Sequence, residues 1–389
     1  MAEHTSTRRG LLRLGGTAGL AGAAGCLRLR DAATSVDPPE PGPPAYRRWL
    51  PAPAGLPGEE PSYMPTAVRV ADLRGGGAVA RAGVSVRNLW ARTFRDPIGI
   101  AGGAVQSAVK VDLATTLLRG GFDTAALDRG ARAVGYRAVD THRGFRLYER
   151  GGRRWGLAVA ADAVLFSARD DPLAHVRAVA DAGRGATPRY HERDATVGRL
   201  SRAAGGPSFV WLQPTREDTD VASAVGAART QQFTADRVFF TNYVLFASSA
   251  AADPAALRES VSGGSVDPLS TNPLDVAVDG RVGRVEFSMR VAEVAEFGHG
   301  ELLPIVAWAF EYDPAAGTVT VTHRGGDPVP ADRLTLEAPE EPTDRQFADG
   351  TVAPGDSVRV SVAPGTTVRV VWSVEDTTST LDSYEVPAE

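Results

Sequence analysis

Residues 136–168 read YRAVDTHRGFRLYERGGRRWGLAVAADAVLFSA, and the fold is decided by how this stretch is understood. Arg143-Gly144 and Gly151-Gly152 punctuate it as turns. Between the turns, Phe145-Arg146-Leu147-Tyr148 and Leu157-Ala158-Val159 have the length and apolar content of paired antiparallel strands. Upstream, Asp123 stands where it caps a helix that carries Leu127, Ala131 and Val134 on one face and stops at Gly135. Downstream, Asp171-Pro172 opens a second helix, because proline's fixed φ and missing N–H suit the first helical position. Its apolar face is Leu173, Val176, Val179 and Ala180, and it ends at Gly183. Asp194 starts a third helix with Val197 and Leu200, and Asp253-Pro254 opens a fourth through Val261. Residues 109–113 alternate as a strand does, and residues 208–212, 238–247 and 282–294 read as further strands. The order predicts an α+β domain over residues 63–300, an antiparallel sheet with helices on one face. Residues 109–182 and 208–261 suggest a duplicated unit, but their residues match too poorly to define a repeat.

Residues 301–389 have a different character. Thr318-Val319-Thr320-Val321-Thr322 alternates with strict period two after the turn Pro314-Ala315-Ala316-Gly317. Residues 358–362 and 368–372, joined by Pro364-Gly365, read as a hairpin, and Trp308, Phe310 and Trp372 supply bulky core residues. Many short strands in such a length predict a small all-β, immunoglobulin-like sandwich. Phe310-Glu311-Tyr312-Asp313, residues 317–323 (GTVTVTH), Gly325-Gly326-Asp327, Gly355-Asp356-Ser357-Val358, Val370-Val371-Trp372 and Tyr384-Glu385-Val386-Pro387 together resemble the C-terminal globular part of haloarchaeal type IV pilins. Pilins place this module directly after a hydrophobic assembly helix, and here it stands at the far end of a long chain. Surface display is what the resemblance implies, and filament assembly is left open.

The whole chain has 389 residues, with 43% hydrophobic and 23% charged. That is ordinary for a soluble protein of about two domains and excludes a polytopic membrane protein or a wholly disordered chain. Of its 42 basic residues only Lys110 is lysine. This usage, beside abundant Ala, Gly, Val and Asp, resembles that of a GC-rich halophilic archaeon. One cysteine excludes an intramolecular disulfide framework and any multi-cysteine metal site.

That cysteine, Cys26, follows Ala23-Ala24-Gly25 at the end of an uncharged Gly/Ala/Leu/Thr run from Gly15. The run is shorter than the ~20 apolar residues that span a bilayer, so it fits the apolar core of an export signal. Thr7-Arg8-Arg9-Gly10-Leu11-Leu12-Arg13 before it resembles the twin-arginine signal, a receptor-read address. The small residues before Cys26 resemble a lipobox, although Ala23 stands where Leu or Val is usual. The resemblances imply a signal over residues 1–26, export through Arg8 and Arg9, and lipid attachment at Cys26. Residues 1–25 carry three arginines against one glutamate, so their removal takes the net charge from −5 to −7. Residues 27–62, rich in proline, read as a semi-rigid extended tether, with Trp49 and Leu50 docking on the body.

The charge divides along the chain. Residues 27–300 hold 34 basic against 30 acidic residues, and residues 301–389 hold 5 against 16. The acidic β segment reads as a solvated face in a high-salt exterior.

No strong catalytic constellation emerges. His142, His175, His191, His299 and His323 lack the i, i+4 spacing of a helical metal site. His191-Glu192, beside Tyr190, reads as a surface loop. Gly99-Ile100-Ala101-Gly102-Gly103 has no Lys-Ser/Thr close after it, so it reads as a turn rather than a phosphate loop. Glu217, Asp218, Asp220, Glu259 and Asp267 do not follow the spacing of a calcium loop. Tyr136, Phe145, Tyr148 and Trp155 interleave with Arg137, Arg143, Arg146, Arg153 and Arg154, which reads as aromatics on a dry face and arginines on a wet one. The sequence therefore predicts a non-enzymatic, lipid-anchored protein on the extracytoplasmic face of the membrane. Its expected partners are the membrane through Cys26 and a surface protein, with no nucleic acid, cofactor or metal. The alternatives are an extracellular enzyme assembled around scattered acids and His191, and an accessory component of a surface filament.

Overall fold

The chain folds mainly as β-strands, and most of them join one sheet. The computed structural model describes residues 38–58, 63–73, 98, 100, 102–112, 114–150, 155–215, 223–262, 275–297, 304, 306–338, 347, 350–374 and 377–388. The strands of the large sheet are β1 (Thr66–Val68), β2 (Val105–Lys110), β3 (Thr115–Gly120), β4 (Tyr136–His142), β5 (Phe145–Arg150) and β6 (Trp155–Ala160). They continue with β7 (Ala163–Ser167), β8 (Phe209–Gln213), β9 (Ala224–Phe233), β10 (Arg237–Phe246), β11 (Asp275–Asp279) and β12 (Val282–Arg290). The order across this 12-stranded sheet is β11-β12-β10-β9-β8-β1-β2-β3-β7-β6-β5-β4, and the pairs are antiparallel.

The four helices that the sequence predicts start where it places them. In α1 (Thr124–Ala133), Asp123 accepts from the N–H groups of Ala125 and Ala126. In α2 (Pro172–Arg184), Asp171 accepts from Ala174 N–H, and the chain leaves through Gly185 at φ 77°. A single turn, α3 (Tyr190–Arg193), precedes α4 (Ala195–Ala204), which Asp194 caps. Two short helices, α5 (Pro254–Ser262) and α6 (Val291–Phe297), follow later.

The expected α+β layer with helices on one face is overturned. The helices are few and short beside the sheet, and both faces of the sheet are covered. One face packs Leu117, Leu147, Ala158 and Leu165 against Val176 and Val179 of α2, Leu200 of α4, and Trp49 and Leu50. The other packs Leu118, Tyr148, Leu157 and Val164 against Leu127 of α1, Leu73, Ile98 and Val291. Strands covered on both sides lose the in–out alternation of a half-wet sheet. Residues 163–167 are accordingly all buried.

Two strand boundaries also differ from expectation. The strand read over 109–113 ends at Lys110, because the buried Asp112 carboxylate takes the N–H groups of Ala114 and Thr115, both at 2.7 Å, and turns the chain into β3. The strand read over 282–294 ends at Arg290, whose N–H is captured by Glu293 at 2.9 Å, and α6 begins.

The topology brings out a duplication that the residues hide. β1-β2-β3-α1 followed by the β6–β7 hairpin, with β7 beside β3, is matched by β8-β9-β10-α5 followed by the β11–β12 hairpin, with β12 beside β10. The β4–β5 hairpin is an addition at the edge of the first half. β1 and β8 pair antiparallel, so the halves meet there.

The described residues of 306–388 hold eight strands, β13 (Val306–Asp313), β14 (Thr318–Gly326), β15 (Val329–Pro330), β16 (Leu334–Glu337), β17 (Thr351–Val352), β18 (Ser357–Ser361), β19 (Thr367–Val374) and β20 (Thr377–Glu385). They form two three-stranded sheets, β13-β14-β18 and β16-β19-β20, and the pair β15-β17. Among the described residues this departs from the expected immunoglobulin-like sandwich, whose two sheets hold four and three strands. The expected hairpin between 358–362 and 368–372 is absent. β18 pairs with β14 and β19 with β16 and β20, so Pro364-Gly365 carries the chain from one sheet to another. Val360, Val368 and Val370 nevertheless face one core with Trp308 and Trp372.

Candidate functional site

A cleft of about 690 Å³ lies at the junction of the two halves. Its floor is Ala67 of β1 with Ser107 and Val109 of β2, small residues that leave room above the sheet. A bulge shapes it. The β2–β3 register steps from Val105↔Gly120 to Ser107↔Arg119, so Gln106 is extra and the strand bends beside the cleft. Its roof is the segment around Tyr46 and Trp49, in the turn Ala45–Trp49.

Backbone hydrogen bonds strap this roof down. Gly206 N–H donates to Gly42 O at 2.6 Å, Tyr190 N–H to Leu50 O at 2.8 Å, and Ala52 N–H to Pro188 O at 3.1 Å. The Tyr63 hydroxyl donates to Pro51 O at 2.7 Å. Trp49 docks as the sequence suggests, with 1% of its surface exposed. It lies so close to α2 that a Cβ on Gly183 would overlap its ring.

Three guanidinium groups surround the Trp49 ring. The central carbons of Arg48, Arg119 and Arg184 lie 5.3, 5.3 and 5.5 Å from its centroid, within cation–π range. Arg48 donates to Gly183 O at 3.0 Å. Arg184 forks onto the Asp162 carboxylate at 2.7 and 3.1 Å. Arg119 donates its Nε–H to Asp162 O at 3.0 Å and approaches the same carboxylate at 3.8 Å. Two of the three cations, Arg184 and Arg119, thus share the Asp162 carboxylate, and Arg48 rests on a neutral carbonyl. Partial burial pushes the Arg119 guanidinium below its usual range, Asp162 opposes this, and Arg48 and Arg184 add to it. Arg184 in turn holds the Asp162 carboxyl below the usual carboxylate range.

Two of the lining residues also carry buried polar atoms. The Tyr46 hydroxyl and Trp49 Nε1 are buried with no hydrogen-bond partner among the described residues. Burial pushes the Tyr46 hydroxyl well above the ordinary tyrosine range, so it stays protonated. At the opposite rim Arg69 is neutralised by Asp72 at 3.2 Å, and Asp72 accepts from the Ser208 hydroxyl at 2.8 Å.

The residues that the sequence singled out lie elsewhere. Arg8, Arg9 and Cys26 are outside the described residues, as are Glu217, Asp218, Asp220, Asp267 and His299. His142 meets Asp181 at 3.0 Å, and the ring N–H of His175 donates to Asp171 O at 2.8 Å. His323 is fully buried, donates to Asp327 O at 3.0 Å and packs edge-on against Trp308. Burial lowers the His191 pKa, and its nearest carboxylate oxygen, on Glu192, is 3.9 Å away. Among the described residues no three metal-ligating side chains come together, and no helix is long and apolar enough to cross a membrane. The interleaved arginines and aromatics stack, with Arg150 5.3 Å from Trp155 and Arg146 5.9 Å from Tyr148. Sequence reasoning missed Arg119. Its signal was an arginine closing the apolar strand Thr115-Thr116-Leu117-Leu118.

No protein-family model and no curated protein matches the chain. Among solved structures it is similar to TP0453 in crystal form III, with TM-score 0.38 and 9% identity over 64% of this chain and 96% of that one. Crystal form I of TP0453 gives TM-score 0.37 and 9% identity over 68% and 98%. Scores of this size do not establish a shared fold.

Proposed function

We propose that this chain is a non-enzymatic binding protein, exported through Arg8 and Arg9 and held on the extracytoplasmic face of the membrane by lipid on Cys26. The observation that carries the binding reading is the make-up of the cleft. Apolar floor residues and the Arg119 guanidinium sit on hydrogen-bonded strands beneath a strapped turn, an arrangement that holds a ligand without needing to move. A cleft of this volume is in the range that small ligands fill. The anchor reading rests on the sequence resemblances alone.

Two measurements test the proposal. Mass spectrometry of the mature N-terminus should find a lipid adduct on Cys26, lost in Cys26→Ser. An unmodified Cys26 in the membrane fraction, with residues 1–25 attached, overturns lipid anchoring. A thermal-shift screen against small metabolites should return ligands that are recovered chemically unchanged. Turnover of a bound compound makes the protein an enzyme and overturns the binding reading.

A further inference from the structure

We infer that the cleft takes a neutral, largely apolar small molecule whose one polar group meets Ser107 and Gln106 at the β2 bulge. This rests on the cleft being a binding site, and it adds the chemical class of the ligand.

The bulge decides which polar groups the ligand meets. Side chains an even number of residues apart on a regular strand share a face. Val105 nevertheless packs into one core, with Ala108 and Leu118, and Val109 into the other, with Leu117. The extra residue, Gln106, accounts for the reversal. From Ser107 to Val109 the pairing with β3 is regular, so Ser107 shares the face of Val109, which is the face that Trp49 of the roof covers. Gln106 is exposed and Ser107 half-buried, and both line the cleft. Neither side chain has a hydrogen-bond partner among the described residues. A hydroxyl and an amide both donate and accept, so they suit a neutral polar group such as an alcohol.

Charge excludes the ionic alternatives. The two arginines that line the cleft are already engaged. Arg69 pairs with Asp72 at 3.2 Å, and Arg119 donates to Asp162 O at 3.0 Å and approaches the Asp162 carboxylate at 3.8 Å. An anion would have to draw one of them from its carboxylate. A cation would meet these guanidinium groups, and no carboxylate is among the described lining residues. Covering a charge without giving it a partner costs more than covering a neutral group. The rest of the ligand follows from the floor and walls, where Ala45, Ala67, Ala108 and Val109 offer apolar surface to a chain of carbon atoms.

The test is titration calorimetry of the full mature chain with butanol, hexanol and octanol, and with octanoate and octylammonium as charged counterparts of the longest alcohol. Affinity for the alcohols should rise about two- to four-fold with each added methylene, the gain from covering one CH₂ group. Octanol should bind at least about ten-fold more tightly than either ion. Ser107→Ala removes the hydroxyl and should weaken octanol binding about five-fold. Ser107→Leu fills the floor and should weaken it at least as much. Arg137→Gln, on the far edge of the sheet, should change nothing. An ion that binds as tightly as octanol overturns the inference while sparing the binding reading, and so do alcohol affinities that do not rise with chain length. If no alcohol binds while the metabolite screen returns a ligand, the class is refuted and the binding reading stands; if neither gives a ligand, both fall. Octanol affinity unchanged in Ser107→Leu refutes the site. If that variant does not fold, Ser107→Ala decides: unchanged octanol affinity refutes the contact at the bulge.

Discussion

Gly183→Ala sets two physical effects against each other, and the structure says which wins. Gly183 is in the last turn of α2, where alanine is favoured over glycine by up to about 1 kcal/mol. On propensity alone the substitution stabilises. The added methyl, however, would overlap Cε3, Cζ3 and Cδ2 of Trp49, three atoms of one rigid ring. The ring has little freedom to yield, being 1% exposed, edge-on to Phe145 at 6.4 Å and ringed by three guanidinium groups. Overpacking of this kind costs about 1–3 kcal/mol. The expected net change is a destabilisation of roughly 1–2 kcal/mol, a melting shift of about 2–4 °C per kcal/mol for a domain of this size. Thermal melts of the native chain, Gly183→Ala, Trp49→Ala and the double variant separate the effects. Trp49→Ala alone should cost about 3–5 kcal/mol. In that background Gly183→Ala should become neutral or stabilising. Stabilisation by Gly183→Ala in the native background would refute the argument that Trp49 is held in place.

Other expectations follow from the same contacts. Asp162 is held below the ordinary carboxylate range by Arg184, so its contribution is full above about pH 4 and lost as pH falls through its lowered value. Denaturation midpoints across that window should fall less steeply in Asp162→Asn than in the native chain, and parallel profiles would contradict the assignment. Asp123→Ala removes a cap that serves two N–H groups and should cost about 1 kcal/mol in urea unfolding. Residues 301–389, expressed alone in high salt, should give a β-type circular dichroism spectrum and a cooperative melt, since Trp308, Val321, Val370 and Trp372 share one core. A disordered spectrum would show that this core needs the rest of the chain.

Local chemistry was legible in the sequence, and long-range partnership was not. Asp123, Asp171 and Asp194 cap helices because a carboxylate two or three residues before free N–H groups acts within one turn. The pairing of Leu147 with Ala158 across β5 and β6 was equally visible, because only four residues separate the two strands. The two-sided cover was written in Leu157-Ala158-Val159-Ala160, a run without polar interruption, yet a sheet wet on one face was expected. Alternation in 358–362 and 368–372 marked the inward faces correctly but says nothing of which strand lies beside which. β9, with Gly226, Gln231 and Gln232 among small residues, carries little strand signal, and its place is set by β8 and β10. The cleft is assembled from residues near 46, 67, 107 and 119, so spacing could not reveal it. Trp49, in a proline-rich segment, stood out and was expected to dock; Arg119, an arginine closing an apolar strand, did not.

The shortness of β1 has a consequence for how the molecule opens. Its three residues are the hydrogen-bonded seam between β2 and β8, whereas β10 matches nine residues with β9 and nine with β12. Cooperative opening starts where the fewest pairs must break at once. Amides at the seam should therefore exchange with solvent before those of β10, and each half can complete its own ladder before the seam closes. A molecule bound in the cleft would act as a splint across that joint, slowing exchange at Ala67 and Val109 while leaving the outer strands untouched.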